Sequence, residues 1–236
     1  MQNANRTRER GVVRQTPLLV LLVLLTGPVQ AQLMDRGGGL IYDTALNVTW
    51  LQDANFAKTS GFSPDGHMVQ SVAQAWAESL AYFDPVRNQI LTGWRLPTVG
   101  PIDGVALKRD FAFDGTSEVG INISDPKSEL AHLFYVTLGN SANSGNLDTG
   151  PFKNVATSEH FGDWYWTSST YPYSSDSTRY YFDFASGMQN VSDVGNAHFA
   201  WVLRNGDIAP VPSPSPLLLL SASLGILGIS SRQRRH

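Results

Sequence analysis

The chain has 236 residues, 42% hydrophobic and 16% charged, with 17 Lys and Arg against 20 Asp and Glu and no cysteine. That composition supports a packed core and excludes a disulfide framework, thiol chemistry and Cys-based zinc sites. Seven of the basic residues and one acidic residue, Glu9, lie in the two ends, which leaves a body with 10 basic and 19 acidic residues and a formal charge near −9; without a Lys/Arg run it repels nucleic acid and other polyanions, sulfated polysaccharide included.

Residues 1–31 read as a secretory signal peptide. Arg6, Arg8, Arg10 and Arg14 precede the apolar run Leu18 to Leu25, Gly27 and Pro28 break it, and Ala31 supplies the small residue at the cleavage point. The run is short for a spanning helix, and an uncleaved anchor is the alternative reading.

The body opens with a hairpin: Leu40–Asp43 and Val48–Leu51 are short β-rich runs flanking a turn at Thr44–Asn47. A polar loop holding Gly61, Pro64, Asp65 and Gly66 follows. Val69, Val72, Ala73, Trp76, Leu80 and Phe83 recur at helical spacing, which predicts one amphipathic helix ending before Pro85. After Gly93–Thr98 comes a long Gly- and Asp-containing region to Asp125. A second helix is expected from Asp125-Pro126, where a carboxylate caps free amides and Pro suits the first turn, running to a stop at Gly139. Asn140 to Phe152 reads as loop. Three strands follow, Trp164–Ser168, Arg179–Phe184 and Phe199–Arg204, with Tyr180, Phe182 and Phe184 on one face and Phe199, Trp201 and Leu203 on another. Hairpin, helix, helix and sheet in that order make an α+β domain over 38–207.

Residues 208–216 form a Pro/Ser-rich hinge, and 217–236 join the apolar stretch Leu217–Ile229 to Arg232, Arg234 and Arg235. As a helix, 216–231 would rise about 24 Å, short of the roughly 30 Å hydrocarbon core. The arginines would stay cytoplasmic and the body outside. This layout resembles the PEP-CTERM sorting signal, although Val211-Pro212-Ser213-Pro214 lacks the usual glutamate. The resemblance implies export, tethering in the inner membrane through the tail with the body in the periplasm, and processing near Pro212 by an exosortase. The product would then reach the outer surface or the extracellular space.

Gly93-Trp94-Arg95-Leu96-Pro97-Thr98, Ser128-Glu129-Leu130, Gly150-Pro151-Phe152, Tyr165-Trp166-Thr167-Ser168, Tyr181-Phe182-Asp183-Phe184 and Ala200-Trp201-Val202-Leu203-Arg204-Asn205-Gly206-Asp207 occur in that order. Together they resemble the Lcl C-terminal domain family, specifically its exported members with PEP-CTERM tails. The resemblance implies a C-type-lectin-like fold, an antiparallel sheet with two helices and long loops, and says little about ligand.

Trp94, Arg95, Pro97, Trp166, Asp183, Trp201 and Arg204 read as fold determinants, since a signature made mainly of Trp, Pro and Arg describes architecture. Arg95 offers a rigid donor fork for a carboxylate such as Asp183 or Asp207. Formylglycine-generating and related iron-dependent enzymes carry a similar Trp-Arg-Leu-Pro-Thr run. They need reactive thiols or a histidine cluster, whereas His67, His132, His160 and His198 are scattered, so the metal-dependent enzyme stands as the alternative to a non-catalytic module. No cofactor is expected. Asp103, Asp110, Asp114 and Asp125 offer oxygens to calcium but match no calcium-loop spacing and fit a solvated acidic loop better. Trp164, Tyr171, Tyr173 and Tyr181 are the candidate ligand surface, weighed against a place in the core. The expectation is an exported recognition or extracellular-matrix module contacting carbohydrate or extracellular polymer.

Overall fold

The computed structural model describes residues 32–208, apart from Glu159, Phe161 and Ser175. The leader with Ala31, and the hinge and tail from 209 on, including Pro212, lie outside the described residues.

The expected hairpin is present as β2 (Leu40–Asp43) and β3 (Val48–Leu51), joined by a turn in which Asn47 takes φ 53°. Asp43 closes that turn by accepting from the amides of Ala45 and Leu46 at 2.9 and 3.3 Å. A strand not expected from the sequence, β1 (Leu33–Gly37), pairs antiparallel with β2, so the folded body begins ahead of residue 38.

The short helix α1 (Phe56–Thr59) is followed by β4 (Met68–Val69) and α2 (Gln70–Ser79). The expected apolar stripe is only half right: Ala73 and Trp76 are buried together with Ala77, but Val72 is 42% exposed. Phe83 belongs to no helix. Leu80 turns extended at ψ 122° and the chain enters a hairpin of β5 (Tyr82–Asp84) and β6 (Gln89–Leu91).

The region expected as continuous loop to Asp125 contains two parallel strands, β7 (Phe111–Ala112) and β8 (Val119–Gly120). Their approach requires Gly120: its φ is +145°, and a Cβ there would lie 1.8 Å from the carbonyl oxygen of Ala112. The second helix, α3 (Glu129–His132), starts later than expected and continues as a π-helical turn through Leu133–Thr137. Asp125 caps no helix; its carboxylate accepts from the Lys127 amide at 2.8 Å in a local turn. Gly139, at φ 69°, ends the segment as expected.

β9 (Tyr165–Thr170) and β10 (Thr178–Asp183) match two of the expected strands, and β11 (Met188–Asp193) completes an antiparallel hairpin with β10. The third expected strand is broken. β12 (Ala197–His198) pairs with β4, β13 (Leu203–Asn205) pairs with β3, and the residues between them bridge two sheets.

Those sheets have the orders β1-β2-β3-β13 and β7-β8-β11-β10-β9. The bridge is held by Trp166 N to Phe199 O at 2.9 Å, Leu51 N to Val202 O at 3.1 Å, and a reciprocal pair between Arg95 and Leu203 at 2.9 and 3.0 Å. Alternation of side chains along the strands sends most of the interior into two large cores, with a smaller cluster of Val99, Val119 and Tyr180 beside them. Ile41, Trp50, Tyr165, Phe182, Phe199, Trp201 and Leu203 join Leu130, Leu133 and Phe134 of the α3 segment. Leu40, Leu51, Trp166, Tyr181, Ala200 and Val202 join Ala73, Trp76 and Ala77 of α2. Sheet between two helical flanks is an α+β domain, and the period-2 pattern is what sends neighbours to opposite sides.

The signature tryptophans earn their places through the indole N–H as well as through area. Trp94 donates to Leu91 O at 3.0 Å, Trp166 to Met68 O at 2.8 Å and Trp201 to Leu51 O at 2.9 Å, each buried.

Candidate functional site

Trp164 precedes β9 and lies flat on Tyr181 of β10, ring centroids 4.2 Å apart and planes 8° from parallel. Beyond that stack, at the turn end of the β10–β11 hairpin, a cleft of about 470 Å³ is lined by Phe111, Phe113, Ile121, Asn143, Trp164, Asp183, Ser186 and Met188. Besides Trp164, three separate stretches build it. The β7–β8 pair presents Phe111 and Phe113, which meet edge to face at 5.0 Å and are 42% and 72% exposed. The β10–β11 turn brings Asp183, Ser186 and Met188. The Asn-rich loop after α3 brings Asn143, fixed where its amide donates to Ser186 O at 3.0 Å.

The polar rim is oriented by its own bonds. Asp183 accepts from the Ala185 amide at 2.9 Å and the Ser186 hydroxyl at 2.6 Å, which fixes the carboxylate and closes the turn. Burial, with the neighbouring Asp183 charge adding to it, pushes the Tyr181 hydroxyl up to about 12, so the ring stays neutral at physiological pH. Aromatic and thioether walls with carboxylate, carboxamide and hydroxyl groups beside them suit a ligand with apolar faces and hydroxyl edges.

The four aromatics anticipated as one surface form two groups. Trp164 and Tyr181 stack as described, Tyr181 being buried. Tyr171 and Tyr173 meet at 5.4 Å elsewhere, with Tyr171 edge-on to Tyr180 and the Tyr173 hydroxyl donating to Leu107 O at 2.7 Å. A second cleft of about 650 Å³ includes Tyr173, Asp103, Asp110 and Phe111. Its wall is held by Glu118, fully buried, which accepts from the amides of Ile102 and Lys108 at 2.7 and 2.6 Å. Phe111 and Phe113 escaped the sequence reading; their alternation across Ala112 was the available signal.

Arg95 does pair with a carboxylate, but with Glu129 and not with Asp183 or Asp207. Two parallel bonds of 2.7 Å join guanidinium and carboxylate, Asn205 accepts from Arg95 at 3.1 and 2.7 Å, and Glu129 also takes the Thr98 amide at 2.7 Å. Asp207 instead pairs with Arg36 at 2.8 and 2.6 Å. Pro97 is buried, its carbonyl accepting from the Ser168 amide of β9 at 2.8 Å, and Arg204 sits on β13 opposite Thr49.

Of the anticipated calcium oxygens, those of Asp103, Asp114 and Asp125 serve local turns. Asp103 accepts from the amides of Val105 and Ala106, which hold its carboxyl below the usual range, and Asp114 is held down by the Thr116 hydroxyl and amide. Among the described residues no group of three or more His, Asp or Glu side chains is placed to hold a metal.

The histidines are engaged separately. His67 contacts Asp163 at 3.1 Å and Asp65 at 3.4 Å, with its ring on Phe199. His198 is buried, its Nδ1 3.0 Å from Gly162 O and its Nε2 2.8 Å from the Ser192 hydroxyl. His132 is pushed below its ordinary value by burial, against the opposing pull of Asp43, whose own carboxyl burial raises. His160 is exposed.

No helix among the described residues is long and apolar enough to cross a membrane. The chain matches no family model, no curated protein and no solved structure.

Proposed function

We propose that the chain is an exported, non-catalytic recognition module whose cleft beside the β10–β11 turn binds a carbohydrate or extracellular polymer. The observation that carries this reading is the cleft wall itself: Phe111, Phe113, Trp164 and Met188 converge with Asp183, Asn143 and Ser186 around about 470 Å³. The acidic body favours an uncharged polysaccharide over a sulfated one. The ordered sequence signature and the two helical flanks around an antiparallel-rich sheet support a C-type-lectin-like domain of the Lcl C-terminal kind. The leader and the PEP-CTERM-like tail support export, membrane tethering and handling by an exosortase before surface attachment or release.

Glycan-array and polysaccharide pull-down measurements on the purified protein test the binding reading. Binding to neutral glycans that Phe113→Ala abolishes is the expected result; a protein that binds none, or whose binding survives Phe113→Ala unchanged, contradicts it.

A further inference from the structure

The β5–β6 hairpin turns apolar side chains in both directions. Tyr82 and Leu91 face inward: the Tyr82 hydroxyl donates to Gly38 O at 2.7 Å, its ring meets Trp94 and Phe56, and Leu91 is buried among the α2-side core. Phe83 and Ile90, directly opposite each other, face outward and are 52% and 58% exposed, and Val86 in the connecting turn is 45% exposed. The Phe83–Ile90 cross-strand pair contributes no more than about 1 kcal/mol to the hairpin itself, and with Val86 beside it the row makes a contiguous apolar patch of the kind that marks a contact.

The place where the described chain ends identifies the contact. Asp207, beside the buried Ile208, holds Arg36 in a two-point ion pair; the Arg36 carbonyl accepts from Arg87 at 2.7 Å, and Arg87 pairs with Asp84 at 2.8 Å at the end of β5. This relay holds Asp207, next to the last described residue, on the same flank as the hairpin tip. From Ile208 the hinge residues 209–216 reach about 25 Å if extended as a Pro-rich chain, at ~3.1 Å per residue, before the apolar stretch begins. With that stretch in a bilayer, the tether keeps the hairpin within reach of the same bilayer at high effective concentration.

We propose that Phe83, Val86 and Ile90 form a lipid-contacting face that lays the body on the membrane holding its tail. This inference rests on the tail-anchoring reading above. Both arginines near the face are already paired with aspartates, so the contact is apolar insertion at the interface and needs no anionic headgroup.

The absence of cysteine allows a single-site probe. The full chain, expressed in an exporting Gram-negative host and purified from its membranes in detergent, is reconstituted into phosphatidylcholine vesicles as Ile90→Cys carrying an environment-sensitive fluorophore. Val105→Cys, at a position 85% exposed on another loop, is the comparison. The expected result is a blue-shifted emission from residue 90 that brominated acyl chains quench, with residue 105 emitting as in water. Vesicle-bound protein whose residue 90 also emits as in water overturns the hairpin proposal alone. A blue shift that brominated lipid leaves untouched assigns the face to the chain's own tail or to a second copy and equally overturns it. Protein that fails to float with the vesicles overturns the tail-anchoring reading, and the hairpin proposal with it.

Discussion

Trp166 donates its indole N–H to the carbonyl of Met68 at 2.8 Å, across 98 positions of sequence, and so fastens β9 to the strand that leads into α2. Trp166→Phe keeps most of the ring area but leaves that carbonyl buried and unpaired. The expected cost is about 1–3 kcal/mol in urea unfolding, the desolvation penalty of one orphaned polar group. An unchanged midpoint would mean that Met68 finds another donor.

Glu129 is the hub joining Arg95, the Thr98 amide and the start of α3. Glu129→Gln leaves a largely covered guanidinium without its counter-charge and should destabilise by about 3 kcal/mol. Arg95→Met combined with Glu129→Leu should recover most of that loss, because both costly charges go together. A double variant as unstable as the single one would show that the Thr98 bond dominates.

His198 and His132 are both held below their ordinary value, chiefly by burial. Their folded pKa values lie below the unfolded ones, so on acidification the unfolded chain takes up these protons first. Stability should therefore be intact at pH 8 and fall as pH drops below about 6.5, until the folded-state values are passed. In the folded state neutral His198 donates from Nδ1 to Gly162 and accepts from Ser192 at Nε2; protonation at Nε2 requires the Ser192 hydroxyl, which already accepts from Asn196 at 3.0 Å, to turn from donor to acceptor. Urea midpoints measured from pH 8 to pH 5 should slope downward, with His198→Asn flattening the slope; parallel curves for the two proteins would remove His198 from the account.

Phe113 is 72% exposed, so Phe113→Ala should change stability by no more than about 0.5 kcal/mol while removing a wall of the cleft. Loss of glycan retention with an unchanged melting curve is the expected pair of results. Retention falling only in step with stability would reassign the ring to the fold.

Glu118→Ala should loosen the 101–110 wall of the second cleft, since one carboxylate holds the amides of Ile102 and Lys108 there. Limited proteolysis should then cut within that wall before the rest of the body, and resistance equal to the parent protein would contradict it.

Much of the sheet could be read from β-rich composition, turn positions and, in β10, period-2 alternation. Leu40–Asp43 and Val48–Leu51 were legible from β-rich composition around a turn, β9 from its aromatic run and β10 from alternating Tyr180, Phe182 and Phe184, and Gly139 stops its helix as a left-handed residue should. The errors arose where tertiary contacts outrank local pattern. Phe83 continues a helical stripe in sequence, yet Tyr82 pairs with Leu91 and the backbone follows the hairpin. β7 and β8 are only two residues each and depend on Gly120, so they carry almost no periodic signal. For Arg95 the side-chain chemistry pointed to a carboxylate but not to which one, because Glu129 is brought there by the later packing of α3. Of the cleft lining, Trp164 stood out by composition, with Tyr181 buried beneath it, whereas Phe111 and Phe113 were hidden in a polar stretch.

Residues 199–203 send Phe199, Trp201 and Leu203 into one core and Ala200 and Val202 into the other. This short ribbon acts as a parity lock between the α2 and α3 sides. Removing or adding one residue within it would exchange the large and small side chains between compartments shaped for the opposite set. Surface loops can absorb changes in length, but this stretch tolerates only replacement in place, and both halves of the molecule have to be altered together.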